Sequence, residues 1–399
     1  MKKILMINHF TQTPGEKGNG RFHYLANLLV NEGLDVHMIT TSFSHRNKEQ
    51  RKITGNQYEE LAYKLNLIFE PGYSKNISLK RFYSHYVMGK NLNKYLKNIN
   101  KPNLIYCSVP SLDVGYVAAK YAKKNNIKFI IDIQDLWPEA FKMVFNIPIV
   151  SNIIFYPMMR KANYIYKSAD EIIAVSETYA KRAKSVNNKC VDEKSVFLGT
   201  DLSIFDDMIT RNKYIKTKDE VWLAYIGTLG HSYDITCVID ALKILRDKGI
   251  TNIKFMIMGD GPLKDKFEDY AIKNNIYCEF TGKLDYEKMA QLLSICDIAV
   301  NPIISNSAGS IINKVGDYAA AGLPVINTQE SEEYRKLVEK YKCGVNCLNN
   351  NSNDLAIKIE LLYKNKILRE KMGENNRRVA EKKFDRSKTY IRILNVLQK

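Results

Sequence analysis

Ile253-Lys254-Phe255-Met256-Ile257-Met258-Gly259-Asp260-Gly261-Pro262 is the stretch that decides the fold. A short, almost wholly apolar run has the length of a strand buried on both faces, and glycines end it. Residues 263–274 then read as a helix. The same unit repeats outward in both directions. Val221–Ile226 ends in Gly227 and leads to a helix over 235–248. Downstream, strands at 278–281, 298–301 and 324–328 alternate with helices at 286–294 and 313–321. Strands alternating with helices predict βαβ units and a parallel sheet with both faces covered.

The N-terminal half carries a second such series. Strands are predicted at 3–8, 36–40, 104–108, 129–133 and 171–175, with helices at 21–32 and 114–125. A chain of 399 residues suits two domains of this kind. The predicted fold class is α/β, with two Rossmann-like domains whose parallel sheets face an interdomain cleft. The domains are set at 1–197 and 198–383, with a C-terminal helix over 384–399 packing back on the first. Ligands of such sheets bind outside the carboxyl ends of the strands.

The chain carries 60 Lys and Arg against 43 Asp and Glu, a formal charge of +17. Residues 1–200 hold 29 of those cations but only 16 of the acids. The excess predicts an anionic partner for that half. Solvating lysines in a compositionally biased chain are the competing reading. Leading residues 3–8 have a strand's length rather than a signal peptide's core, and no uninterrupted apolar run reaches a membrane span. Seven cysteines without a paired spacing framework read as small buried hydrophobes in a reducing compartment.

Three polar segments follow predicted strands. Gly15-Glu16-Lys17-Gly18-Asn19-Gly20-Arg21 has glycines that let backbone N–H groups approach an anion, without the spacing of a dinucleotide or Walker loop. Arg21 at a helix start opposes the dipole unless it faces an anion, and a plain turn is the alternative. Gln134-Asp135-Leu136-Trp137-Pro138-Glu139 ends a buried strand. Asp135 there is either a catalytic carboxylate or a helix N-cap, with Pro138 in the first turn. Ser310-Ile311-Ile312-Asn313-Lys314 leads into a helix whose free N–H groups would grip a diphosphate. Lys314 would add a point charge, and Asp317 would accept bonds from two ribose hydroxyls.

In order, Gly227-Thr228-Leu229, Gly259-Asp260-Gly261-Pro262, Thr281-Gly282-Lys283 and residues 313–325 resemble the family 4 retaining glycosyltransferases, which have the GT-B architecture. Asn8-His9, residues 42–46 and residues 135–139 are similar to the subgroup that builds bacterial capsules and O-antigens. The resemblance implies a sugar-nucleotide donor on the C-terminal domain. Lys283 and Leu284 would meet the base, Asp317 the ribose, and Ser310 to Lys314 the diphosphate and donor sugar, with Gly309 beside them in the donor set. Gly227, Thr228, His231 and Gly259 complete the expected donor set. Asp135 and Lys314 are the expected catalytic residues. Gly18, Asn19, Gly20, Arg21, Gln134 and Glu139 would line the acceptor side.

The sequence departs from the family pattern in three places. Gly309 stands where the family often has the first of two glutamates, with Asp317 at the second. Gln134 replaces a common histidine. Thr228 and the run 230–233 replace an Arg and a Lys; His231 there is either a phosphate contact or an ordinary loop histidine. The implied reaction is retaining and metal-independent. Oriented N–H groups and Lys314 would stabilise the departing nucleotide diphosphate. The acceptor hydroxyl would attack from the same face, with a covalent nucleophile as the alternative.

Residues 77–98 read as a basic amphipathic helix, with Lys80, Arg81, Lys90, Lys94 and Lys97 among Leu79, Tyr83, Tyr86 and other apolar residues. With residues 143–159 it could touch anionic lipid, or it could be a core-facing helix with snorkelling lysines. The expected partners are a UDP-sugar, a lipid-diphosphate-linked saccharide and an anionic membrane face, with no cofactor beyond the donor and no nucleic acid. The expected location is peripheral, on the cytoplasmic face of the membrane. A sugar-nucleotide 2-epimerase of the same fold, a nucleic-acid-binding protein and a non-catalytic sugar-binding module are the competing functions.

Overall fold

The computed structural model describes residues 1–16, 20–52, 58–76, 78–144, 148–305, 307 and 310–399. The chain divides into two compact units, Met1–Val196 with Tyr390–Lys399, and Phe197–Thr389.

The first unit holds a seven-stranded sheet in the spatial order Lys64–Ile68, Asp35–Thr41, Lys3–Ile7, Leu104–Val109, Lys128–Ile133, Glu171–Ala174, Lys194–Ser195. All its pairings are parallel. Leu104–Val109 is buried along its whole length, as its almost wholly apolar run requires. The second unit orders Cys278–Phe280, Ile253–Met258, Val221–Ile226, Ile298–Asn301, Val325–Asn327 and Gly344–Asn346, again all parallel. In each sheet the chain starts in an inner strand, winds outward one way, then returns and winds the other. The reversal lies beside Lys3–Ile7 in one unit and beside Val221–Ile226 in the other. Loops after these strands therefore flank a crevice at the carboxyl ends, the usual ligand position in a doubly wound sheet.

Strands Lys64–Ile68, Lys194–Ser195 and Gly344–Asn346 carry no apolar run because they lie at sheet edges and are mostly only half-buried. A helix over Pro148–Ser168, with Pro157 inside it, was also not anticipated.

The C-terminal segment differs from the expected single helix over 384–399. Residues up to Thr389 stay with the second unit. Thr200 N donates to Phe384 O at 2.8 Å, Arg386 N donates to Thr200 O at 3.2 Å, and the Phe197 and Phe384 rings lie 5.3 Å apart. The return starts at Tyr390. Helix Ile391–Gln398 then buries Ile393, Leu394, Val396 and Leu397 in the same core as Phe22, Leu25 and Leu29.

Candidate functional site

In the second unit, two glycine loops lie backbone against backbone. Gly227 N donates to Met258 O and Leu229 N to Asp260 O, each at 3.0 Å. A Cβ on Gly259 would stand 1.8 Å from Gly227 O, and one on Gly261 would stand 2.4 Å from Leu229 O. The glycines are thus required by close approach of two chain segments. Thr228 and His231 are exposed at this rim.

Beside these loops runs helix Lys314–Ala320. Its Tyr318 is fully buried at the sheet's reversal. The hydroxyl accepts from Ile226 N and donates to Val300 O, both at 3.1 Å, so it bridges the ends of two strands. Asp317 lies on the neighbouring face. Its Oδ1 accepts from the Thr200 hydroxyl at 3.0 Å and the Tyr286 hydroxyl at 2.8 Å. Burial raises the Asp317 carboxyl above the usual aspartate range, against the two bonds that favour its charge. Oδ2 accepts from none of the described residues, so one oxygen remains for a ligand rather than two.

Lys314 differs from its expected part as an open point charge. It is 9% exposed, and its Nζ has no hydrogen-bond partner among the described residues. The amine sits 3.9 Å from the Tyr225 ring centroid and 3.8 Å from that of Tyr233. Burial holds it well below the ordinary lysine range. A Cβ on Gly227 would meet it at 2.8 Å, so it lies directly behind the glycine turn. The expectation of free N–H groups in this first turn is also corrected. Val315 N already donates to Ile312 O and Gly316 N to Asn313 O.

Ser310 and Ile311 are buried, Ile312 is half-buried and Asn313 is exposed without capping the helix. Gly309 lies outside the described residues. Lys283 is exposed, while Leu284 packs on the core. A row of amides, not anticipated, supports the Ser310 loop. Asn301, Asn327 and Asn346 stand in register at the ends of three adjacent strands. Asn327 Nδ2 donates to Asn346 Oδ1 and Asn301 Nδ2 to Asn327 Oδ1, each at 2.9 Å; Gln329 Nε2 donates to Ser310 O at 2.6 Å. The signal was three consecutive short strands ending in Asn.

In the first unit, Gly18 and Asn19 lie outside the described residues. Gly20 starts helix Arg21–Asn31 with a φ of 62°, in the left-handed region that glycine tolerates. Arg21 does not face an acceptor. It is 4% exposed and forks onto Asp132, with Nε to Oδ2 at 3.0 Å and Nη2 to Oδ1 at 3.3 Å. Its Nη1 donates to the Tyr390 hydroxyl at 3.1 Å and to Val196 O at 3.3 Å. The anion its position called for is a strand carboxylate of the same unit.

Asp135 is committed to partners within its own unit: it accepts from Leu136 N, Trp137 Nε1 and the Tyr179 hydroxyl at 2.9, 3.1 and 3.2 Å. Pro138 precedes the helix Glu139–Val144 rather than lying in its first turn. Burial nevertheless raises the Asp135 carboxyl above the ordinary aspartate range. Glu139 accepts from Arg182 Nε at 2.6 Å. Gln134 N donates to Val109 O, while its Nε2 is buried without a partner among the described residues.

Around these residues the strand ends bring together a cluster that the sequence reading did not assemble. His9, fully buried after the first strand, pairs through Nε2 with Glu70 Oε1 at 2.8 Å and through Nδ1 with Ser111 Oγ at 2.7 Å. Ser84 Oγ donates to Glu70 Oε2 at 2.6 Å. Burial works against the Glu70 charge, but His9 and Ser84 hold the carboxyl down at about 2. His85 stacks on Trp137 at 5.7 Å, and its Nε2 is buried without a partner among the described residues. His9, Glu70 and His85 bring possible ligand atoms within 4.8 Å of one another. His9 and Glu70 already satisfy each other there.

Two family models divide the chain. Residues 21–193 match Glycosyltransferase Family 4, and residues 206–379 match Glycosyl transferases group 1. A curated relative, an uncharacterized glycosyltransferase (MJ1178) of Methanocaldococcus jannaschii, is 28% identical over 175 residues, covering 44% of this chain and 47% of that protein. The chain thus spans about half the length of the curated relatives it matches. Among solved structures, Anabaena Alr3699/HepE in complex with UDP superposes with a TM-score of 0.72 at 14% identity, covering 100% of both chains. WaaG, a glycosyltransferase involved in lipopolysaccharide biosynthesis, gives 0.64 at 14% identity, covering 98% of this chain and 99% of that one. The fold is GT-B, and the matches together support a glycosyltransferase.

Proposed function

From a GT-B fold whose two halves match glycosyltransferase models, we propose that this protein transfers a sugar from a UDP-sugar to a lipid-diphosphate-linked saccharide, with retention at the anomeric carbon. The transferred sugar we favour is an N-acetylated hexosamine or deoxyhexosamine, in capsule or O-antigen assembly. Asp317 carries this reading. A carboxylate whose Oδ1 is fixed by Thr200 and Tyr286 presents a single oriented Oδ2, suited to a ribose hydroxyl. The donor diphosphate would lie against the Gly227 turn. There a phosphate oxygen would supply the hydrogen-bond partner that the Lys314 amine lacks among the described residues. Bringing an anion to that amine would favour its charged form and stabilise the departing diphosphate.

Thermal stability in the presence of UDP-, GDP- and dTDP-sugars tests the donor. A UDP-sugar at a hundred times its Kd is expected to add about 2.7 kcal/mol. Asp317→Ala should abolish the increment produced by UDP, measured within the variant so that its own stability cancels. An undiminished increment would move the ribose site elsewhere, and a preference for GDP would overturn the donor. Product formed without any acceptor would instead favour the 2-epimerase reading.

The membrane part rests on one face of helix Leu79–Leu96. Leu79, Tyr83 and Tyr86 are 87%, 61% and 58% exposed, among Lys80, Lys90, Lys94 and Lys97. Ile153, Ile154 and Tyr156 of helix Pro148–Ser168 are also exposed, at 71%, 62% and 60%. Phe141 packs between Phe82 and Phe155, linking the two helices. Arg81, expected on that face, turns inward instead. Among the described residues no helix is long and apolar enough to cross a membrane. Sedimentation with phosphatidylglycerol vesicles should lose on the order of 1 kcal/mol per lysine when these four become glutamine. Unchanged sedimentation at low salt would remove the membrane from the proposal.

A further inference from the structure

Helix Leu79–Leu96 begins with Lys80 and Arg81 and has no acid in its first turn. Cations at a helix's positive end are unfavourable unless an anion sits there. Arg81 is 8% exposed, yet among the described residues no carboxylate lies within ion-pair distance, and its Nε is buried without a partner. Its guanidinium lies 4.7 Å from the Trp137 ring, 5.6 Å from Tyr73 and 5.7 Å from Phe10.

A second cation converges on the same place from another loop. Lys48 Nζ lies 4.8 Å from the Tyr73 ring and 3.4 Å from His45 Nδ1. Both cations bond one residue, Arg81 Nη1 to Asn76 O at 2.8 Å and Lys48 Nζ to Asn76 Oδ1. The two nearby acids are spent. Glu70 is taken by His9 and Ser84, and Asp135 by Leu136, Trp137 and Tyr179. Burial and the Arg81 charge hold Lys48 down at about 8, and burial with Lys48 and Arg81 holds His45 down at about 3. Positive groups crowded into one place, with Arg81 Nε and the His85 Nε2 ring nitrogen buried and unpartnered among the described residues, favour an anionic guest.

We propose that Arg81 and Lys48, over the Tyr73 and Trp137 rings, form a phosphate or diphosphate subsite at the carboxyl end of the first sheet. This rests on the glycosyltransferase reading and deepens it: the group bound would be the diphosphate of the acceptor. Arg81 supplies a fork of donors, Lys48 a compact charge, and the aromatic floor excludes water from one side.

Titration calorimetry on the full chain, with UDP saturating so that the donor site is occupied, tests it. The probes are inorganic pyrophosphate and a short-chain prenyl diphosphate below its micelle concentration. Both are expected to bind once per chain, the prenyl form more tightly if the lipid acceptor is the source. Equal affinities would assign the site to free diphosphate. Arg81→Gln and Lys48→Gln should each weaken pyrophosphate by roughly tenfold or more, as loss of a charge-assisted hydrogen bond does, and Arg81→Lys should recover part of it. Should Arg81→Gln not fold, the half-exposed Lys48→Gln decides alone. Pyrophosphate affinity unchanged in Lys48→Gln, or no binding to the UDP-saturated wild type, would overturn the subsite. In either case stabilisation by the UDP-sugar would persist and the glycosyltransferase reading would stand. Loss of that stabilisation in the wild type is the separate result that would sink the reading itself.

Discussion

Arg21→Ala is expected to destabilise the first unit by about 3–5 kcal/mol, the range for breaking a buried ion pair by removing one partner. Asp132 would be left charged in the sheet with 0% exposure, its remaining side-chain donor being the Tyr106 hydroxyl. The loss reaches the C-terminal helix too, because Arg21 Nη1 donates to Tyr390 and its guanidinium lies 4.9 Å from that ring. Urea unfolding should show the drop, and hydrogen exchange should show lost protection over Ile391–Gln398. Replacing both partners, Arg21→Met with Asp132→Leu, should recover much of the stability, since matched apolar groups often substitute for a buried pair at little cost. A single-mutant loss below about 1 kcal/mol, the scale of an exposed pair, would mean that the pair is not buried as described.

Gly259→Ala should be the most damaging small substitution in the second unit. The added methyl would stand 1.8 Å from Gly227 O, so one of two hydrogen-bonded loops must move. Overpacking costs typically about 1–3 kcal/mol, and a clash of backbone with backbone belongs at the top of that range or above it. The functional effect should exceed the stability effect, because the loop displaced is the Gly227 turn in front of Lys314. Stabilisation by UDP should then fall even where the variant folds. Gly230→Ala, in the same loop, is the control. Its Cβ would meet Thr228 Cγ2 at 3.7 Å, an ordinary contact, and both readings should barely change. Equal losses in the two variants would refute the account of Gly259 as a close-approach residue.

The part of the site that was legible follows from local rules. Gly227, Gly259 and Gly261 could be found because a strand that ends where another backbone passes needs a residue without a side chain. Asp317 could be placed one turn into its helix by counting. What those residues do was less legible, since a side chain's partner is set by segments far away in sequence. Arg21 and Asp132 are 111 residues apart, His9 and Glu70 61, and Thr200 and Asp317 117. Lys314 looked like a free charge because nothing near it in sequence shows Tyr225 and Tyr233 closing over it. Arg81 stands in a row of basic residues along the chain, yet helical geometry turns it inward and leaves Lys80 outside.

The sequence by itself determined the two parallel sheets, because almost wholly apolar runs such as Ile253–Met258 and Leu104–Val109 can be covered only by helices on both faces. It also determined where the glycine loops fall. Only the tertiary structure decided which charges are spent and which are open. Arg21, Asp135 and Glu139 are paired within the first unit, while Arg81 and Lys48 converge on the Tyr73 ring with no carboxylate within ion-pair distance among the described residues. The physical reason is that a periodic apolar pattern is local and additive along the chain, whereas the state of a buried charge depends on every group folded against it.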